Sequence, residues 1–135
     1  MLISALQVTR YPLVGGPYTN TTIERPSWDV VEEELRAMHN WEKPLLWLCK
    51  DRDVGYENCM AVCGGSGVFH VQVADNDGNW FQAVDPHGSD QPVDVWLSDQ
   101  GFTTKARYTW PVDKAVELVR WYFEHGTMEP RYAWE

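Results

Sequence analysis

Apolar residues recur in two different periods along this chain, and the switches between them mark helices and strands. Residues 2–8 form a short run read as a strand. An irregular segment rich in Gly, Pro, Tyr and Thr follows it. From Ser27 the period is helical: Val31, Leu35 and Met38 recur at i, i+4 and i+7 and make one apolar face. Ser27 suits the N-cap, and Asp29 complements the positive end of the helix dipole. Glu32, Glu33 and Glu34 fall largely on the solvated side.

From Leu45 the period changes to that of strands. Residues 45–49 and 58–63 are short apolar runs, the second ended by Gly64-Gly65-Ser66-Gly67. Over 68–74, Phe69, Val71 and Val73 alternate with His70 and Gln72. Asp77-Gly78 then predicts a tight turn into a strand over 79–84. Asp85-Pro86-His87-Gly88-Ser89 reads as a loop, residues 93–97 alternate again, and 102–108 is expected to pair beside them.

The last helix is the best defined. Pro111 suits its first position, Asp113 its positive end, and Gly126 the residue just past its C-terminus. Val112, Val116, Val119 and Phe123 form a stripe widened by Ala115 and Tyr122. Beyond Pro130, residues 131–135 read as a closing strand. Consecutive strands with short links favour antiparallel pairing. The expected fold is α+β: one domain over 1–135, an antiparallel sheet of about five to seven strands, and two helices packed on one face.

Composition narrows the function. The 135 residues include eight tryptophans and carry a formal charge of −9. The aromatics imply a packed core, and the charge argues against direct nucleic-acid binding, which needs clustered Lys and Arg. No apolar run approaches the ~20 residues of a membrane span, and the N-terminal residues lack the pattern of a secretory signal. A cytoplasmic protein is expected. Between Arg52 and Lys105 stand no lysine or arginine but eight acids: Asp53, Glu57, Asp75, Asp77, Asp85, Asp90, Asp94 and Asp99. Such a stretch attracts cationic surfaces, which suggests a face turned towards a partner.

Candidate chemistry is sparse. Cys49, Cys59 and Cys63 give an odd number and no zinc-knuckle spacing, so buried reduced thiols are expected. Asp75-Asn76-Asp77-Gly78 departs from a calcium loop in its glycine position and lacks the distal glutamate. Gly64-Gly65-Ser66-Gly67 has neither a phosphate-loop lysine nor the nucleophile-elbow spacing. His87 beside Asp85, and Cys63 with His70, are the two conceivable catalytic sites, and neither has supporting partners in the sequence. The chain reads as a non-enzyme with no catalytic residues, cofactor or metal.

The C-terminal half carries a resemblance. Asn79-Trp80-Phe81 opens a strand after a D-G turn, an acidic loop leads to Val93-Asp94-Val95-Trp96, and Pro111 begins a helix continued by Ala115, Tyr122, Phe123 and Gly126. With Pro130 and the closing Trp134-Glu135, this ordered set over roughly 68–135 resembles the Imm-one family of immunity proteins from bacterial polymorphic-toxin and contact-dependent competition systems. The resemblance implies a small cytosolic α+β protein that binds and neutralises a cognate toxin domain, often one acting on nucleic acid, such as a deaminase or nuclease. The charge pattern adds a mechanism: an acidic face occupying a basic active-site cleft.

The residues expected to bind the toxin are Asp85, Asp90, Asp94, Trp96 and Asp99, with Asp75 and Asp77 at the hairpin tip as weaker candidates. Asp94, Trp96 and Ser98 share a face opposite Val93, Val95 and Leu97. If the valines face the helices, Asp94 and Trp96 lie on the open face of the sheet. The other outcome is Trp96 packed in a second small core. Trp80, Trp121 and Trp134 are assigned to the core or its rim. The competing function is a small-ligand-binding or regulatory module with no toxin partner. Oligomeric state stays open.

Overall fold

The computed structural model describes residues 2–12, 16–51, 57–98 and 100–135. Nine strands and two α-helices follow one another as β1 (Ala5–Arg10), β2 (Thr19–Glu24), α1 (Trp28–Arg36), β3 (Leu45–Cys49), β4 (Cys59–Gly65), β5 (Val68–Ala74), β6 (Trp80–Val84), β7 (Pro92–Trp96), β8 (Gly101–Lys105), α2 (Val112–His125) and β9 (Ala133–Trp134). Seven strands form one antiparallel sheet in the order β2-β1-β3-β4-β5-β6-β9. The α+β class and the helices on one face are as the periodicities predict.

Position in the sheet explains each strand's composition. The central strand β4 is buried along its whole length and reads Cys-Met-Ala-Val-Cys-Gly-Gly, with no charge. At the edge, β2 reads Thr-Asn-Thr-Thr-Ile-Glu and is largely exposed. It corrects the expected irregular segment before Ser27: β-branched threonines suit an extended edge, and Thr9 Oγ1 donates to Asn20 Oδ1 at 2.6 Å across the β1–β2 pair. β1 itself starts later than expected, at Ala5.

Helix boundaries follow local chemistry. Ser27 caps α1, its hydroxyl accepting from the Val30 amide at 3.3 Å. Pro111 is the N-cap of α2, so the helix begins at Val112, one residue later than predicted. Gly126 closes that helix in the left-handed region (φ 70°), donating its N–H to Tyr122 O at 2.7 Å. Both helices pack on one face of the sheet. Val31, Leu35, Ala115, Leu118, Val119 and Tyr122 meet Leu6, Leu46, Leu48, Met60, Val62, Phe69 and Val71 there.

The opposite face carries a smaller cluster of Ala5, Cys49, Cys59 and Ala74, flanked by Trp47 and Trp80 in edge-to-face contact. Part of this face is roofed by β7 and β8, which form a separate two-stranded sheet instead of extending the large one. The expected strand over 102–108 divides at Lys105, and Ala106–Tyr108 is a single 3-10 turn. Among the described residues no helix is long and apolar enough to cross a membrane.

Candidate functional site

The β7–β8 pairing sets which side chains look outward. Its register opposes Pro92 to Lys105, Asp94 to Thr103 and Trp96 to Gly101, so these six share one face. Val93, Val95, Phe102 and Thr104 share the other. Val95 is fully buried, and the Phe102 ring stands edge-on to His70 at 5.5 Å and 87°. Those residues lie on the sheet face away from the helices. The condition that the valines face the helices is not met: alternation sorts the two faces of the hairpin, but the buried one rests on the back of the sheet.

Asp94 and Trp96 therefore look away from the sheet. Asp94 is exposed and accepts from Thr103 Oγ1 at 2.9 Å, a cross-strand partner that aims the carboxylate. Trp96 is half-buried and stands directly opposite Gly101, which has no side chain to pack against it. Leu97, 41% exposed, follows β7 in the turn of the hairpin. Gly101 and Thr103 escaped the sequence reading, because only the β7–β8 register places them beside Trp96 and Asp94.

The other predicted acids are dispersed. Asp75 and Asp77 lie at the β5–β6 turn, and Asp85 follows the far end of β6, about 15 Å along the strand. Asp75 builds that turn. Its carboxylate accepts from the backbone amides of Asn79 and Asp77, each at 2.9 Å, and from Asn79 Nδ2 at 3.3 Å. These bonds, the Asn79 amide foremost, hold its carboxyl below the usual range. Asp85 accepts from the His87 amide at 2.9 Å. Asp90 pairs with Arg107, whose Nε lies 2.8 Å away and whose Nη1 also reaches Glu135 at 3.0 Å, so one cation is shared by two carboxylates. Asp99 lies outside the described residues. Among the described residues, Asp77, Asp85 and Asp94 have no cation within ion-pair distance, whereas Arg36, Lys114 and Arg120 of the helices are paired with helix carboxylates.

Beneath the hairpin lies a buried polar contact. His70 Nε2 sits 2.7 Å from Gln82 Oε1, which can only accept, so Nε2 carries the proton and donates. Nδ1 then accepts from the Cys63 thiol at 3.7 Å. Burial pushes that thiol up to about 12 and lowers the His70 pKa, with the Gln82 bond opposing the second shift. Both shifts favour the neutral pair, whereas an activated thiol–imidazole dyad needs thiolate and imidazolium.

The imidazole gives the protein a pH dependence. Unfolded, His70 protonates near pH 6.5; folded, it does so only at lower pH. Between these values the unfolded chain binds more protons, so this contribution is complete above about pH 7.5 and declines as pH falls, by at most ~1.4 kcal/mol per pH unit. Urea unfolding from about pH 7.5 to 5 should show wild type and His70→Gln converging. A gap that stays constant over that range would mean His70 is not held neutral.

Around His87 the surface dips twice. Depressions of about 440 and 360 Å³ share Asp85, His87, Trp110 and Pro111, and Lys114 and Tyr132 border the smaller one. His87 is exposed between them. Trp80 and Trp134 are half-buried at the rim of the core, as assigned, while Trp121 stacks on His125 at 3.8 Å. No family model and no curated protein matches the chain.

Proposed function

We propose that this chain is an immunity-type protein that binds a cognate bacterial toxin domain and occludes its active-site cleft with the outward face of β7–β8. The observation that carries this reading is the exposed Asp94 beside a half-buried Trp96 on the outward face of a hairpin that stands outside the large sheet. Trp and its neighbours supply binding energy at such a surface, and unneutralised acids supply attraction and orientation. The net charge of −9 favours a basic partner, such as a toxin that acts on nucleic acid. Asp77 is on another end of the sheet and Asp75 is committed to its turn, so neither joins the proposed contact. Inhibition takes place in the cytoplasm, by binding alone.

The test is co-purification from the native host at low salt and at about 0.5 M, where screening confines charge interactions to roughly 4 Å. The expected result is one basic toxin domain, recovered less well at high salt. Recovery independent of salt would keep the partner and refute the acidic contribution. The twin depressions at His87 support a second reading, a small-ligand module, because their volumes fall within the ~300–1,000 Å³ of ligand pockets. Finding no protein partner at either salt would favour it.

A further inference from the structure

On the back of the sheet, Cys49 of β3 and Cys59 of β4 are direct cross-strand partners. The next pair along donates Lys50 N–H to Asn58 O, and Gly64 N–H donates to Pro44 O in the same register. Hydrogen-bonded pairs therefore fall at the even-numbered positions of β3, and Cys49–Cys59 is a non-hydrogen-bonded pair. At such pairs the α-carbons stand about 4.5 Å apart with side chains at their closest, inside the range a disulfide bridges. Their flanking partners, Ala5 and Ala74, are small and leave the two sulfurs as neighbours. Cys63 is excluded: it shares β4 with Cys59 four residues away, about 13 Å, and opposes Leu45 and His70.

We propose that Cys49 and Cys59 form a reversible cross-strand disulfide, a two-electron redox site that leaves Cys63 reduced. Hydrogen peroxide is the oxidant class that fits, being small enough to reach Cys49, which keeps 6% of its surface exposed while Cys59 has none. The Cys49 thiolate attacks one peroxide oxygen and the O–O bond breaks, giving a sulfenic acid and a hydroxide that takes a proton to become water. The Cys59 sulfur then attacks the Cys49 sulfur; the S–S bond forms, the S–O bond breaks, and a second water leaves with the remaining proton. Two thiols are oxidised and one peroxide is reduced to two waters. Burial raises both thiols, Cys59 to about 12 with a smaller effect from Cys49, so the reaction is slow near neutrality and accelerates with pH.

The experiment exposes the folded full-length chain to hydrogen peroxide, then denatures and alkylates it for intact mass and peptide mapping. The expected product has lost two hydrogens, takes up one alkyl group in place of three, and links the Cys49 and Cys59 peptides; dithiothreitol restores three alkylations. Cys63→Ser should still form the link and Cys49→Ser should not. Three unchanged alkylations, overoxidised single cysteines, or a link that includes Cys63 would each overturn the proposal. The site is independent of toxin binding, so these outcomes are read without a partner.

Discussion

Gly65→Ala should lower stability by about 3 kcal/mol or more, enough to leave much of the protein unfolded under mild denaturant. Gly65 ends β4 at φ +128°, and a β-carbon there would lie 2.7 Å from His39 N, 2.8 Å from Met38 C and 2.9 Å from Asn40 N. All three are backbone atoms of the segment that leaves α1, so no side chain can swing aside. Either the strand end or the helix exit must move, and both are tied into the core through Met38 and Val62. Gly67→Ala provides the comparison. It also has positive φ (+93°) but nothing within 4 Å of the added carbon, so it carries only the conformational cost of ~1 kcal/mol. Urea unfolding followed by tryptophan fluorescence separates the two. Equal losses would refute close backbone approach as the reason for glycine at position 65.

The second large effect concerns recognition. Trp96→Ala should weaken binding to the proposed toxin partner by about 30-fold or more, the ~2 kcal/mol typical of an aromatic hot spot. The fold should survive, because Trp96 belongs to neither buried cluster. Asp94→Lys should act differently: reversing the charge slows association, and the loss shrinks as salt rises. Trp121→Ala, on α2 and stacked on His125, should leave affinity unchanged. Titration calorimetry and association kinetics, with circular dichroism on each variant, make the comparison. Unaltered affinity in Trp96→Ala would remove the hairpin face from the proposed interface.

How far these features could be read beforehand depended on whether they are local. The caps of α1 and α2 were legible because Ser27 and Gly126 act within one helical turn of their targets. The β5–β6 hairpin was legible through Asp77-Gly78, although the residue that holds it is Asp75. β2 was not, since its threonines and asparagine show no apolar alternation and its pairing comes from β1. Alternation over 93–97 sorted Asp94 and Trp96 from Val93 and Val95, but it has no information on which surface the valines meet; His70 and Phe102 settle that from 32 positions apart in sequence. The acids looked alike as a run of charge. Their environments separate them: Asp90 faces Arg107, Asp75 faces amides, and Asp94 faces solvent beside Thr103.

The hairpin's position as an excursion between β6 and α2 has a consequence for how the surface tolerates substitution. It enters and leaves the large sheet through the segments at 85–91 and 106–110, which are laced together by Asp85 N–H to Arg107 O and Arg107 N–H to Ser89 O. Inward it needs only a few apolar residues, Val95 and Phe102 foremost, to hold its seat. Its outward positions consequently lie outside the strand pairing of the large sheet. Point substitutions there should reshape this surface while leaving the pairing of the seven-stranded sheet, to which none of those positions contributes, unchanged.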